Sequence, residues 1–179
     1  MSLLLAGLDD ELTRTLAARL QAQDDEVRMV LDDPAGREGW RLLGIHVAVG
    51  DLTDEDFVWR AATNVRTVVA GDRPPADSTD VRRSLAAMLT RTDADRLVVV
   101  GAGNDDELID GARAAGLAHV VLRFRRRGLL GSRDVVGPHD LAAAIDAADD
   151  LAGEPRLDLD LAESSAWEAL RLEPPDQVK

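Results

Sequence analysis

Residues 3 to 20 read LLLAGLDDELTRTLAARL: an apolar run, one glycine, three consecutive carboxylates, then leucines at 12, 16 and 20. A short apolar run stopped by glycine reads as a buried strand, and leucines four apart read as one face of a helix. The junction suits a helix start. Asp9 is placed to cap the unpaired N–H groups, with Asp10 and Glu11 in the first turn against the positive end of the helix dipole, each for roughly 0.5 to 1 kcal/mol. Nucleotide-binding proteins put a glycine-rich phosphate loop at such a turn, because a helix amino terminus is a ready anion site. AGNDDEL at 102 to 108 repeats the pattern after the apolar LVVV. Plain capping and a site that fills itself with its own carboxylates are therefore both open readings.

Working outward, further apolar runs are expected as strands at Glu26 to Leu31, Ile45 to Val49, Thr67 to Ala70, Arg96 to Val100 and His119 to Leu122. Helical spacing recurs at Val81, Leu85 and Leu89, helices open near Asp54 and at Glu107 to Ala115, and Leu141 to Leu151 reads as a last sheet-packing helix. Arg73 to Thr79, with Pro74 and Pro75, reads as a loop. Strands alternating with crossover helices predict an α/β fold: a doubly wound, Rossmann-like parallel sheet in a single three-layer domain, residues 1 to 152. Residues 153 to 179 are expected to form a short C-terminal extension. It carries an alternating strand at 156 to 161 and a helix at 163 to 172, docking through Trp167 and Leu170 on the domain or on a second subunit.

Composition excludes several chemistries. The 179 residues carry a net charge of -13, which argues against nucleic acid and anionic membranes as general partners. Without cysteine there is no thiolate catalysis or Cys-ligated metal. Without tyrosine, and with Lys179 as the only lysine, no phenol can donate a proton and no internal amine can form a Schiff base. The run at 3 to 6 is too short for a signal peptide or a membrane span, so the cytoplasm is the expected compartment.

LLLAGLDDELTRTLAARL (3 to 20), DEVRMVLDDP (25 to 34), GIHVAVGDLTDEDFVWRAATNVRTVVAGD (44 to 72), GLAHVVLRF (116 to 124) and VVGPHDLAAAI (135 to 145) follow one another in a familiar order and spacing. Over roughly residues 2 to 150 the chain resembles the atypical short-chain dehydrogenases, including NmrA-like proteins and sugar-nucleotide epimerase relatives. GDLTD with its following amphipathic helix is the most specific element. The resemblance implies a cofactor crevice touched by Gly7, Leu8, Asp32, Asp51 and Leu52. Of the family's three turn glycines only Gly7 matches, Asp10 and Thr13 standing at the other two positions. A carboxylate there adds like charge beside a pyrophosphate, at roughly 1 kcal/mol in water and about 4 kcal/mol near a protein surface for charges about 4 Å apart. Asp32 and Asp33 stand where NADP-dependent relatives carry a basic residue, so NADP is disfavoured and NAD stays formally possible. Asp51 has two readings, an adenine contact or the cap of the helix near Asp54. The family's catalytic Tyr and Lys have no counterpart, so no catalytic residue is assigned.

RFRRRGLLGSR follows the last main strand, where the family lines its substrate cleft. Arg123, Arg125 and Arg127 are a possible anion site, with pairing to the chain's own acidic surface as the alternative reading. His46, His119 and His139 are scattered, with no metal-ligand spacing, and read as satisfied structural residues. Asp9/Asp10, Asp105/Asp106 and Asp149/Asp150 read as solvated caps and faces, and no metal is expected. Trp40, Trp59 and Trp167 read as packing anchors. The functional expectation is a non-catalytic binding or interaction protein with no bound cofactor, a homodimer or the partner of another protein. The alternatives are an NAD-linked oxidoreductase or epimerase relative and a weak dinucleotide sensor.

Overall fold

In the computed structural model, residues 2 to 101, 105 to 124, 136 to 153 and 155 to 172 are described. Seven parallel strands are formed: β1 (Ser2–Ala6), β2 (Glu26–Leu31), β3 (His46–Val49), β4 (Thr67–Gly71), β5 (Arg96–Gly101), β6 (Ala118–Arg123) and β7 (Arg156–Asp160). They lie in the order β3-β2-β1-β4-β5-β6-β7. The chain winds outward from β1 in one direction and, after β3, from β4 in the other, which is the doubly wound arrangement. Parallel strands buried on both faces should be apolar throughout rather than alternating. Leu3, Leu4 and Leu5 in β1 and Leu97, Val98, Val99 and Val100 in β5 are all at most 2% exposed.

Seven helices are described: α1 (Asp10–Gln21), α2 (Arg37–Leu42), α3 (Glu55–Ala61), α4 (Thr79–Leu89), α5 (Asp106–Ala115), α6 (Pro138–Asp150) and α7 (Ser164–Ala169). Alternate strand residues feed two cores. Leu3, Leu5, Val98 and Leu122 pack with α1, α2, α6 and α7, while Leu4, Val68, Leu97 and Val121 pack with α3, α4 and α5. The outcome is the expected three-layer Rossmann-like α/β fold in one domain. The alternating stretch at 156 to 160 is the seventh strand of the same sheet, paired with β6 from His119↔Arg156 to Arg123↔Asp160. Trp167 sits in the first core, and its indole N–H donates to the Leu161 carbonyl at 2.9 Å. Trp40 packs in that core under Arg14, and Trp59 lies against the second core under Arg91.

Buried polar groups gather where β4, β5 and β6 begin, and they depart from the solvated caps and satisfied histidines expected. Asp149 is 1% exposed at the end of α6, where the Thr67 hydroxyl donates to its carboxylate. Arg96, itself buried, donates to the carbonyls of Ala148, Asp149 and Leu151, so a guanidinium closes the carboxyl end of α6. Burial pushes the Asp149 carboxyl above its ordinary value, against the Thr67 hydrogen bond and the charges of Arg66 and Arg96. His46 and His139 are exposed. His119 is the interior histidine, and its Nδ1 has no hydrogen-bond partner.

Burial depresses the His119 pKa below its ordinary 6.5, with Arg113 and Arg156 acting the same way and the Leu117 carbonyl opposing them. A histidine that folds neutral contributes stability that is intact above about 6.5 and is lost as pH falls through its depressed folded value. Chemical unfolding followed from pH 7.5 down to 5 should therefore show His119→Gln with a flatter acid limb than the parent chain. Parallel limbs would exclude His119 as the titrating group.

Candidate functional site

In an open parallel sheet the ligand crevice lies outside the carboxyl ends of the strands, where the winding reverses. Here that point lies between β1 and β4. Gly7 leaves β1 with φ +67, a left-handed conformation that β-carbons disfavour. Its carbonyl accepts the Arg73 N–H at 2.9 Å, joining the turn after β1 to the loop after β4. The two loops touch so closely that a β-carbon on Gly7 would stand 2.3 Å from the Ala76 Cβ, and one on Gly71 would stand 2.1 Å from the Gly7 carbonyl oxygen. Leu8 lies over Gly71 and packs against the α1 core.

Asp9 caps α1. Its carboxylate accepts the Leu12 N–H at 2.9 Å, and its carbonyl accepts both the N–H and the hydroxyl of Thr13. Asp10 and Glu11 follow in the first turn and are exposed. α3 is built the same way, with Asp54 accepting from Asp56 and Phe57 and with Glu55 and Asp56 in its first turn. An acidic cap is thus shared by α1 and α3, while Ser78 caps α4; what distinguishes α1 is its place at the switch point.

The other crevice residues divide. Asp32 is exposed at the end of β2, and neighbouring Asp33 accepts the Ala35 N–H at 2.8 Å. Asp51 does not cap α3, since Asp54 does. It accepts the Thr53 N–H and hydroxyl instead, and the Thr53 side chain holds its carboxyl below the usual range. Leu52 turns inward, 2% exposed in the core under α3, and offers little side-chain surface to a ligand. Gly7, Leu8, Asp9 and the loop after β4 therefore share one locus, while Asp32 and Asp51 stand at the ends of β2 and β3 on its flank.

A second charged locus sits beyond β5 and β6. Asp105 repeats the sequence context of Asp9 but makes no side-chain cap. It is 1% exposed and takes a hydrogen bond from the buried Arg82 of α4 at 2.6 Å. Arg123 grips Asp158 with Nε and Nη2, at 2.8 and 3.0 Å, and points Nη1 at Asp105 from 3.8 Å. The pair to Asp158 raises the Arg123 pKa further. Arg123 is thus engaged by the chain's own carboxylates, and Arg125 and Arg127 lie outside the described residues. Neither Arg82 nor its pairing with Asp105 was expected from sequence, and only a polar residue on the inner face of α4 hinted at it.

Among the described residues no cluster of three His, Asp or Glu side chains stands ready for a metal, and no helix is long and apolar enough to cross a membrane. No protein-family model and no curated protein matches the chain. Solved structures do. ChuY, an anaerobillin reductase from Escherichia coli O157:H7, superposes with a TM-score of 0.66 at 16% identity over 88% of this chain and 95% of its own. The Citrobacter triphenylmethane reductase complexed with NADP(H) gives 0.68 at 14%, over 89% and 69%. An NADPH-dependent quinone oxidoreductase from Escherichia coli gives 0.67 at 12%, over 96% and 76%. At such identities the likeness is one of fold.

Proposed function

We propose that this chain is a non-catalytic, Rossmann-like binding protein, a degenerate relative of the atypical short-chain dehydrogenases that works without turning a dinucleotide over. The observation that carries the reading is the Asp9 carboxylate on the amino terminus of α1, with Asp10 and Glu11 exposed beside it. An incoming pyrophosphate would meet three negative charges where it needs donors. The absence of tyrosine and of internal lysine removes the usual proton donor as well. In this reading the protein acts in the cytoplasm, as a homodimer or on another protein, with no role for nucleic acid or membrane, and NADP is the less favoured dinucleotide because Asp32 and Asp33 stand at the end of β2, where NADP-dependent relatives carry a basic residue.

Thermal melts with NAD, NADH, NADP and NADPH test it. A ligand at a hundred times its dissociation constant adds about 2.7 kcal/mol, so the expected result is no shift at millimolar cofactor. Asp9→Gly with Asp10→Gly should cost roughly half a kcal/mol of stability and bring dinucleotide affinity up by about tenfold or more. Unchanged affinity would mean that the carboxylates are caps and nothing else.

A second reading is a dinucleotide-dependent reductase whose hydride transfer needs no protein phenol. It is favoured by the NADP(H) and NADPH named for the similar structures and by the tight turn at Gly7. A saturable melting shift in the parent chain, with cofactor oxidation on any carbonyl or quinone substrate, would establish it.

A further inference from the structure

Around β3, the edge strand, lies an open cavity of about 500 Å³ whose lining reaches inward to Arg28 and Met29 of β2 and Leu4 of β1. Its lining includes Arg28, Arg37, Arg41, His46 and Arg60 and not one carboxylate, in a chain with 34 acidic residues. The cations come from both sides of the strand. Arg28 and His46 are register partners on the α3 face, which also supplies Arg60. Arg37 and Arg41 come from α2, which packs through Trp40 on the α1 face. Arg28 is held by Glu26 and by the Thr63 carbonyl, and Arg41 reaches Glu38 at 3.7 Å across exposed surface. Arg37 and Arg60 are exposed and make no ion pair among the described residues. Among the described residues β3 pairs with β2 alone, so one row of its backbone donors and acceptors has no described strand beside it. Just before it, Leu42 and Leu43 are 80% and 43% exposed and are the exposed large hydrophobics among the described residues.

We infer that the free edge of β3 docks an acidic, extended segment of a partner protein, which adds to the sheet as an eighth strand. Arginines close to a sheet edge also deter unwanted pairing, but deterrence does not require the two bare leucines that precede the strand, outside the cavity lining. A small anion fits the arrangement less well than a chain does. The positive charges flank both faces of the strand, and an extended peptide sends successive side chains to opposite faces, so it satisfies both with one backbone. Ladder hydrogen bonds supply the affinity in such additions, and side-chain contacts supply the selectivity. Carboxylates meet Arg37 and Arg60, and aliphatic side chains cover Leu42 and Leu43. A second copy of this chain is a poor occupant, because a two-fold contact would set this positive patch against itself. The inference stands apart from the nucleotide crevice, which lies at the carboxyl ends of β1 and β4.

The probe is a labelled peptide of alternating Glu and Val, about ten residues long, titrated against the full chain by fluorescence anisotropy and by amide NMR. The expected result is saturable binding with shifts centred on the amides of His46 to Val49. It should weaken about tenfold or more when salt is raised from roughly 50 to 300 mM, and by a similar factor in Arg37→Glu/Arg60→Glu. Both residues are exposed, so that variant should keep the parent melting temperature. Arg37→Lys/Arg60→Lys, which keeps the charge, should retain binding and guards against a misfolded negative. Absence of binding at about 1 mM peptide overturns the inference. So does equal binding by a proline-interrupted version of the peptide, by tripolyphosphate or by a single-stranded oligonucleotide, which would reveal an anion site with no strand addition.

Discussion

Arg82→Met is expected to lower stability by about 3 to 5 kcal/mol, because it leaves the Asp105 carboxylate buried beside apolar surface with its closest partner gone. The two side chains are 8% and 1% exposed and 2.6 Å apart, so solvent neither screens the pair nor replaces it. Arg123 stays 3.8 Å from the other carboxylate oxygen and already serves Asp158, so it compensates only in part. In a chain of this size the loss corresponds to roughly 6 to 20 °C in melting temperature. The decisive comparison is a cycle with Asp105→Asn. The double variant should be far more stable than the sum of the single losses, since removing both charges removes the uncompensated one. Additive losses in urea would show that Arg82 acts through packing and not through Asp105.

Gly7→Ala is the second large effect, at about 3 kcal/mol. Two causes combine: an L side chain at φ +67 costs roughly 1 to 2 kcal/mol, and the new methyl meets the Ala76 Cβ at 2.3 Å, where overpacking costs about 1 to 3 kcal/mol. They can be separated. In an Ala76→Gly background the worst collision is removed, while the backbone strain and the close approaches to the Arg73 and Gly71 carbonyl oxygens at 3.0 and 3.2 Å remain, so the same Gly7→Ala change should cost less, by roughly 1 kcal/mol. An equal cost in both backgrounds would mean that the loops after β1 and β4 part freely.

Much of the sheet was legible because a parallel strand buried on both faces is apolar throughout, as LLLA in β1, TVVAG in β4 and LVVVG in β5 nearly are. All six main strands appear within a residue or so of their expected bounds, and the alternating stretch at 156 to 160 appears as β7. α2 was not foreseen. It has six residues, begins after Gly36 at φ +84 and buries only Trp40, too little periodicity to register. The candidate site was legible where a residue's role is local: Gly7 turns the chain and Asp9 caps the next helix. It was illegible where a role depends on a distant partner. Asp105 and Asp9 share nearly the same neighbours in sequence, yet Asp105 meets Arg82 of α4 and goes into the interior. The positive cavity at β3 was hidden for the same reason, since Arg28 of β2, Arg37 and Arg41 of α2, His46 of β3 and Arg60 of α3 come from four elements that only the fold brings together.

The placement of the three tryptophans turns the two cores into separately observable bodies. Trp40 and Trp167 belong to the layer of α1 and α6, and Trp59 to the layer of α3 and α4. With no tyrosine in the chain, ultraviolet emission arises from the indoles without a competing donor. Single-indole versions of this protein would therefore report whether its two faces come apart in one step or in succession, using only the fluorophores it already contains.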